Sequence, residues 1–232
     1  MEINTGDYKY RIELHAHTRP ASGCSEISPE DLIRTYKKLN CDAVCITNHF
    51  TASLFPPGSA NKETVTAHFD DYLRAKTEGD RLGVNVIFGM ELRFAENSND
   101  YLIYGTDEEE ALKISYLLGE GVAQFRAAYR NEKSVFLQAH PFRSGMADVL
   151  PELLDGIEVF NMHPHHNSRI GIAARYAKQH GFIAIAGTDY HHPTHEGLAI
   201  TCAKTLPRDS YELAALIKSR DYIFDIGGFC VI

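Results

Sequence analysis

Short apolar segments alternate with longer amphipathic segments along the chain, and this alternation constrains the fold more than any other feature. Apolar runs of strand length occur in RIELHAHT, DAVCITNH, VNVIFGMELRF, DYLIYG, SVFLQAH, GIEVFN and FIAIAGTDYHH. Helical patterns separate most of them, over about residues 28–39, 62–81, 107–131, 167–180 and 210–219. Alternating strands and helices predict one α/β domain over residues 1–232 with a largely parallel sheet.

The number of predicted strands, about seven or eight, favours a barrel with helices outside it over an open sheet. A doubly wound sheet is the alternative. That fold would carry a glycine-rich phosphate-binding turn after the first strand. The first strand instead ends in LHAHT, and no such turn follows. We therefore expect a barrel.

Composition and charge argue against several classes of function. The 232 residues are 44% hydrophobic, which is typical of a globular domain, and their net charge of −8 argues against a broad nucleic-acid or anionic-membrane surface. No apolar run approaches the roughly 20 residues that span a bilayer, and the N-terminus lacks the apolar core of a signal peptide. Because the five cysteines include no CxxC pair, we expect free thiols and a cytoplasmic protein.

Histidines and carboxylates occur where the predicted strands end. His15 and His17 close the first strand, and residues at i and i+2 of a strand point to the same side. Glu91 lies within a later strand, and further candidates end other strands: His49, His140, Asp189 and His191. The C-terminal ends of parallel barrel strands meet at one face. Since imidazole and carboxylate together suit zinc, manganese or iron, the pattern predicts a divalent-metal site at that face.

The motifs LHAHT, AVCITNH, GMEL, QAHP, GIEVFN and GTDYHH occur in this order. Together they resemble the motifs of the polymerase and histidinol phosphatase (PHP) superfamily over about residues 11–195. The resemblance implies a distorted (β/α)7 barrel, similar to a TIM barrel, with two or three metals at the C-terminal ends of the strands. It also implies metal-dependent phosphoester hydrolysis.

The resemblance further implies a ligand set for each metal. The first metal would be held by His15, His17, Glu91 and Asp189. Glu91 would bridge to a second metal bound by His140. A third metal would be bound by His49 and His191.

Three departures from the family pattern affect the second and third metals. Asn48 stands in TNH where aspartate is usual. The segment RPASGCSEIS, where the family often has an acid or a histidine for the third metal, offers only Cys24 and Glu26. The strand after GMEL begins with Asp100 and Tyr101, where a histidine is often found. We therefore expect one tightly bound metal and one or two weaker ones.

Other residues near the strand ends suit a phosphorylated substrate. Arg143 follows AHPF and could bind a phosphate through paired hydrogen bonds. His163 belongs to NMHPHHN, after a barrel strand, and is a candidate for contacting the substrate or protonating the leaving group. For at least two of the three histidines in this segment, a plain polar loop is the favoured interpretation. Glu158 could hydrogen-bond to a ligand histidine from within its strand.

The expected function is hydrolysis of a small phosphorylated substrate, a phosphate mono- or diester, by attack of a metal-bound hydroxide. Two alternatives remain open at this point. A metal-dependent amidohydrolase would use similar chemistry on carbon. A catalytically silent metal-binding regulatory module is the other, because the second and third sites have few ligands.

Overall fold

Strands and helices alternate along the chain, as the sequence pattern predicts. The computed structural model of the protein describes residues 4–195 and 197–232. The helices in these ranges are α1 (Pro29–Lys38), α2 (Asn61–Leu82), α3 (Glu108–Ser115), α4 (Val122–Ala128), α5 (Ile170–His180) and α6 (Ser210–Ser219). None of these helices is long and apolar enough to cross a membrane.

The strands are short, and some follow one another almost without a break. They are β1 (Tyr10–Ala16), β2 (Ala43–Ile46), β3 (His49–Thr51), β4 (Asn85–Phe88), β5 (Met90–Arg93), β6 (Tyr101–Tyr104), β7 (Val135–Gln138), β8 (Gly156–Asn161), β9 (Ile183–Gly187), β10 (Ala199–Ala203), β11 (Tyr222–Ile226) and β12 (Phe229–Val231).

Two hydrogen-bonded sheets together form the wall of a barrel. Their strand orders are β12-β11-β10-β1-β2-β4 and β3-β5-β6-β7-β8-β9. Because β2 runs on into β3 and β4 into β5, each pair forms one stave that passes from the first sheet to the second. The staves are then β1, β2–β3, β4–β5, β6, β7, β8 and β9. A parallel bridge between Ala16 and Tyr190 brings the last stave back to the first. The predicted α/β fold is confirmed, with the barrel wall divided into two sheets.

The strands are less parallel than the sequence pattern predicts. β6 pairs antiparallel with both β5 and β7, and β10, β11 and β12 form an antiparallel extension beside β1. Only residues 94–100 connect β5 to β6. A crossover between parallel strands takes about a dozen residues or more, so this connection turns the chain back as a hairpin.

Apolar side chains fill the interior between the staves. One buried cluster includes Leu14 of β1, Cys45 of β2 and Ile87 of β4. Leu213 and Ile217 place α6 against the same cluster. The interior at this level is therefore a packed core, and it supports the rim at which the candidate ligands lie.

The first helix shows how local sequence fixes an element around the barrel. Ser28 caps α1, because its side-chain oxygen accepts a hydrogen bond from the backbone N–H of Asp31 at 3.1 Å. Pro29 occupies the first helical position, where its missing N–H has no cost. Leu32 and Tyr36 form the buried face, which packs against the strands.

A bulge in β1 sets the direction of the two motif histidines. The pairing of β1 with β2 changes register in the segment that ends at Ala16. Leu14 belongs to the interior cluster, and a regular strand would turn the next side chain to the opposite face. His15 and His17 are nevertheless fully buried beside Glu91 at the rim of the interior. The bulge thus directs both histidines into the barrel.

The buried carboxylate of Glu13 stabilises this bulge. One oxygen accepts hydrogen bonds from the backbone N–H groups of His15 at 2.8 Å and Thr188 at 3.1 Å. The other oxygen accepts from the hydroxyl groups of Tyr36 at 2.7 Å and Thr188 at 2.5 Å. One side chain therefore joins β1 to α1 and to the end of β9.

Replacing Glu13 by alanine should destabilise the fold. The change leaves buried N–H and O–H groups without an acceptor, and each such group costs about 1–3 kcal/mol. We expect Glu13→Ala to lower the free energy of unfolding by at least about 3 kcal/mol in urea denaturation. The exposed Glu132 supplies a control, since Glu132→Ala should change this quantity by about 0.5 kcal/mol or less. Equal stability of the two variants would contradict the role of Glu13.

Candidate metal centre

The ligand candidates named from the sequence meet at one rim of the barrel. They come from the ends of β1, β7 and β9 and from the places where β2 gives way to β3 and β4 to β5. Glu91 lies at the centre, with its oxygens 3.3 Å from His15 Nε2, 3.4 Å from His17 Nε2, 2.7 Å from His49 Nδ1 and 3.1 Å from His140 Nε2.

The residues expected to hold the first metal are brought together. Nitrogen atoms of His15 and His17 and an oxygen of Asp189 all lie within 4.8 Å of one another. The Glu91 carboxylate faces both histidines at the distances given above. Two imidazoles and two carboxylates at this spacing form a ligand set suited to zinc, manganese or iron.

His49 lies between the second and third expected sites. The family resemblance places His49 with His191 on the third metal. Ligand atoms of these two residues do group with His17, all within 4.8 Å of one another. His49 Nδ1 also lies 2.7 Å from a Glu91 oxygen, so this histidine borders the second site as well.

Asp100 adds a carboxylate to the second site, where the sequence offers only Glu91 and His140 with certainty. It forms a candidate ligand group with His49 and Glu91. Its Oδ2 atom lies 3.8 Å from His140 Nε2. Arg93 donates hydrogen bonds to both Asp100 oxygens, at 2.7 and 2.6 Å, and so fixes the carboxylate in place.

Several buried nitrogen and oxygen atoms of this cluster make no well-formed hydrogen bond to any residue that the structure describes. They are His15 Nε2, His17 Nε2, His49 Nδ1, Glu91 Oε2 and His140 Nδ1. Some of them face one another, as His49 Nδ1 faces Glu91 Oε2 at 2.7 Å, but without hydrogen-bond geometry. Since buried polar groups are nearly always well hydrogen-bonded, such a group of atoms in one place calls for an explanation. A divalent cation would bind imidazole nitrogens and carboxylate oxygens alike. The residues present therefore fit the metal ions that the PHP resemblance implies.

Charges within the cluster shift the pKa values of its members. Burial alone would lower the pKa of His15, but the carboxylates of Glu158, Asp189 and Glu91 raise it well above its ordinary value. Burial alone would raise the pKa of Glu91, but the neighbouring imidazoles hold it well below its ordinary value. Burial and the nearby imidazoles lower the pKa of His17. The carboxylates that favour a proton on His15 would also favour a metal cation in its place.

Glu158 orients the first ligand histidine. One of its oxygens lies 2.8 Å from His15 Nδ1, and the other accepts from the backbone N–H of His140 at 3.0 Å. With Nδ1 engaged in this way, His15 presents Nε2 to the cluster. Gly187 permits the contact, because a Cβ atom at this position would overlap both His15 and the Glu158 carboxylate.

Ser22 plays the corresponding part for His17, and nothing in the sequence indicated it. The Ser22 hydroxyl lies 3.2 Å from His17 Nδ1 and donates to Asn48 Oδ1 at 3.0 Å. It also accepts from the backbone N–H of His49 at 2.8 Å. Asn48 thus supplies an amide oxygen where the family usually has a carboxylate. No spacing rule identifies Ser22, because it lies in an irregular loop.

Two of the candidate ligands have an unusual backbone conformation. His140 has a φ of 31° and Asp189 a φ of 57°. Positive φ is uncommon for residues other than glycine and costs of order 1–3 kcal/mol. Such strain persists where the surrounding contacts impose it, and it often marks functional sites.

Arg143 and His163, the residues expected to act on the substrate, border a cavity above the cluster. This cavity of about 300 Å³ is also lined by Cys24, His49, Arg93, Asp100, His140, His166, Asp189, His191 and His192. Arg143 donates to Asp189 Oδ2 at 2.5 Å, while its own Nε is buried without a hydrogen bond. Part of the ligand cluster, namely His49, Asp100, His140, Asp189 and His191, therefore lines a small cavity with basic groups in its wall.

Glu158→Gln should weaken metal binding without removing a ligand. The substitution takes away the negative charge that supports His15, and the loss of such supporting contacts costs about 10–100-fold in metal affinity. We expect a loss of this size when zinc affinity is measured by competition with a chromophoric chelator. The exposed Glu152 provides a matched control, and Glu152→Gln should bind zinc as the parent protein does. Unchanged zinc affinity in Glu158→Gln would contradict this role.

Known proteins resemble this chain in both sequence and fold. DNA polymerase III PolC-type of Streptococcus pyogenes serotype M3 is 25% identical over 145 residues, which cover 62% of this chain and 9% of the polymerase. The chain thus matches only a small part of that relative's length. A two-domain protein from Bacteroides vulgatus that contains a predicted PHP-like metal-dependent phosphoesterase aligns with a TM-score of 0.60 and 15% identity, over 93% of this chain and 64% of that one.

An amidohydrolase from Chromobacterium violaceum, solved with bound sulfate and no metal, aligns with a TM-score of 0.53 and 15% identity, over 80% of this chain and 89% of that one. At these identities the structural likeness shows the fold alone. The family model of the PHP domain matches residues 13–155 of the sequence, which is more than half of the chain. The matched residues include His15, His17, His49, Glu91 and His140. This chain therefore belongs to the PHP domain family.

Proposed function

We propose that the protein is a metal-dependent phosphoesterase that hydrolyses a small phosphate mono- or diester. The observation that carries the proposal is the position of Arg93 and Arg143 in the wall of the cavity onto which the candidate ligands open. Guanidinium groups suit the paired oxygens of a phosphate. Asp100 and Asp189 engage part of each guanidinium, and an anionic substrate would engage the N–H groups that remain.

In this proposal the ligand candidates hold more than one metal ion. His15, His17, Glu91 and Asp189 would hold the tightest ion, with zinc, manganese or iron as candidates. Weaker sites would draw on the other ligand candidates, namely His49, Asp100, His140 and His191. When bound, such ions lower the pKa of a coordinated water to about 7 and withdraw charge from phosphoryl oxygens.

Arg143 is held in position to bind the phosphate. Its Nη2 atom donates to Asp189 Oδ2 and, at 3.0 Å, to Asn161 Oδ1. These contacts fix one edge of the guanidinium against the ligand cluster. The Nε atom has no hydrogen-bond partner among the residues that the structure describes, and the side chain lines the cavity. In this proposal Arg143 offsets charge on the phosphoryl group.

His163 is better placed to donate a hydrogen bond than to protonate a leaving group. Burial, together with neighbouring imidazoles, lowers its pKa to about 3, so the ring is neutral at pH 7. The backbone N–H of His165 donates to its Nδ1 at 3.2 Å, which leaves the ring proton on Nε2. We therefore assign His163 to binding a substrate oxygen through Nε2–H.

Phosphoesterase activity should depend on a divalent metal. After treatment with a chelator, the protein should lose turnover of a panel of phosphate mono- and diesters, and zinc or manganese should restore it. The measurement is product release under steady-state conditions. Absence of turnover with every divalent metal would favour the silent-module alternative. Turnover of amides alone would favour an amidohydrolase.

Paired variants separate this activity from a contaminating phosphatase. Arg143→Ala should lower kcat/KM and weaken inhibition by inorganic phosphate. Arg175 is exposed and lies on α5, so Arg175→Ala should behave as the parent protein does. Equal activity in both variants would show that the turnover does not arise from this cavity.

A further inference from the structure

We propose that Cys24 binds, as a thiolate, the metal held by His49 and His191, and that it makes this site select thiophilic ions. Zinc would then be preferred over manganese. The inference deepens the proposed function, because it rests on the metal dependence proposed above. It assigns a ligand at the point where the sequence departs from the family pattern.

Cys24 lines the same cavity as His49 and His191, beside the third expected metal site. The imidazoles of both histidines interact with its thiol. A thiol and two imidazoles in the wall of one cavity are residue types typical of a zinc site.

A second observation also indicates a cation at this place. Ligand atoms of His17, His49 and His191 all lie within 4.8 Å of one another. Nε2 of His17 is fully buried and makes no hydrogen bond to any residue that the structure describes. It also faces Glu91 and Asp189 at 3.4 Å, so the first and third expected sites adjoin at this nitrogen. Cys24 lines the cavity together with His49 and His191.

The loop that carries Cys24 is fixed to both sides of the site. The Ser25 hydroxyl donates to the backbone carbonyl of His17 at 3.1 Å and lies 3.2 Å from that of His191. The backbone N–H of Glu26 donates to the same His191 carbonyl at 2.9 Å. These contacts hold the neighbours of Cys24 against both histidines. The backbone next to Cys24 is thus fixed by the fold.

The other cysteines have surroundings that do not suit a metal ligand. Cys41, Cys45 and Cys202 are buried and belong to apolar clusters. Cys230 is exposed on β12, on the extension beside the barrel. Cys24 alone among these five cysteines has imidazole neighbours in the described part of the chain.

When Cys24 binds a metal, the sulfur–metal bond forms as the thiol proton passes to the solvent.

Cobalt provides a direct test, because a thiolate bound to Co²⁺ gives a near-ultraviolet charge-transfer absorption that nitrogen and oxygen ligands do not. Apo protein should be titrated with Co²⁺ alone, for the parent, Cys24→Ser and Cys230→Ser. We expect the band in the parent and in Cys230→Ser, and its loss in Cys24→Ser. A parent without the band, or a Cys24→Ser variant that keeps it, would overturn the proposal.

Metal preference gives a second readout that does not depend on turnover. Cys24→Ser should lower the affinity of the weaker site for zinc by at least about tenfold, because even the loss of a group that only supports a ligand costs this much. The same substitution should change the affinity for manganese little. Equal losses for the two metals would contradict a selective role for the thiolate. Circular dichroism checks that the variant is folded. A protein with the cobalt band and no phosphoesterase activity would keep this proposal and refute the proposed function.

Discussion

Glu91 is the charge around which the rim of this barrel is arranged. It is completely buried, and a carboxylate removed from water requires compensating partners. Four imidazole nitrogens lie between 2.7 and 3.4 Å from its oxygens. These four histidines come from three staves, so the cluster forms only when the barrel has brought the staves together. Fold and site therefore depend on each other at this position.

The backbone departs from regular strand geometry next to several of the candidate ligands. Two staves break next to Glu91 and His49, β1 bulges next to His15, and Asp189 has a positive φ. Each irregularity turns a polar side chain toward the rim that a regular strand would direct elsewhere. The buried bonds of Glu13 compensate for part of the resulting loss of regular pairing.

Periodicity and spacing predicted much of the structure. The capped start of α1, the extent of α2 and α6 and the convergence of strand ends all follow from local pattern. The bulge in β1 and the antiparallel pairing around β6 were not predictable, because they depend on contacts between distant segments. For the same reason, sequence could name Asp100 and Cys24 as possible ligands but could not select them. Ser22 carried no signal at all, since a serine in an irregular loop is common.

The departures from the family pattern acquire a physical meaning in this structure. Asn48 accepts a hydrogen bond from Ser22 and so still supports His17. Asp100 adds an oxygen beside Glu91, and Cys24 adds a sulfur beside His191. In this account the second and third metal sites differ from the family pattern in the type of their ligands more than in the number of their ligands. Such changes adjust which metal binds and how tightly, while the barrel that positions the ligands stays the same.

The central claim is that this rim binds metal ions, with the tightest at His15, His17 and Asp189. Anomalous diffraction from crystals of the protein grown with zinc, recorded on both sides of the zinc absorption edge, tests it most directly. The account predicts that the strongest anomalous peak lies among the side chains of these three residues and Glu91, with weaker peaks toward His49 and His191. A map with no peak at the rim, or with zinc bound only elsewhere on the protein, would contradict it.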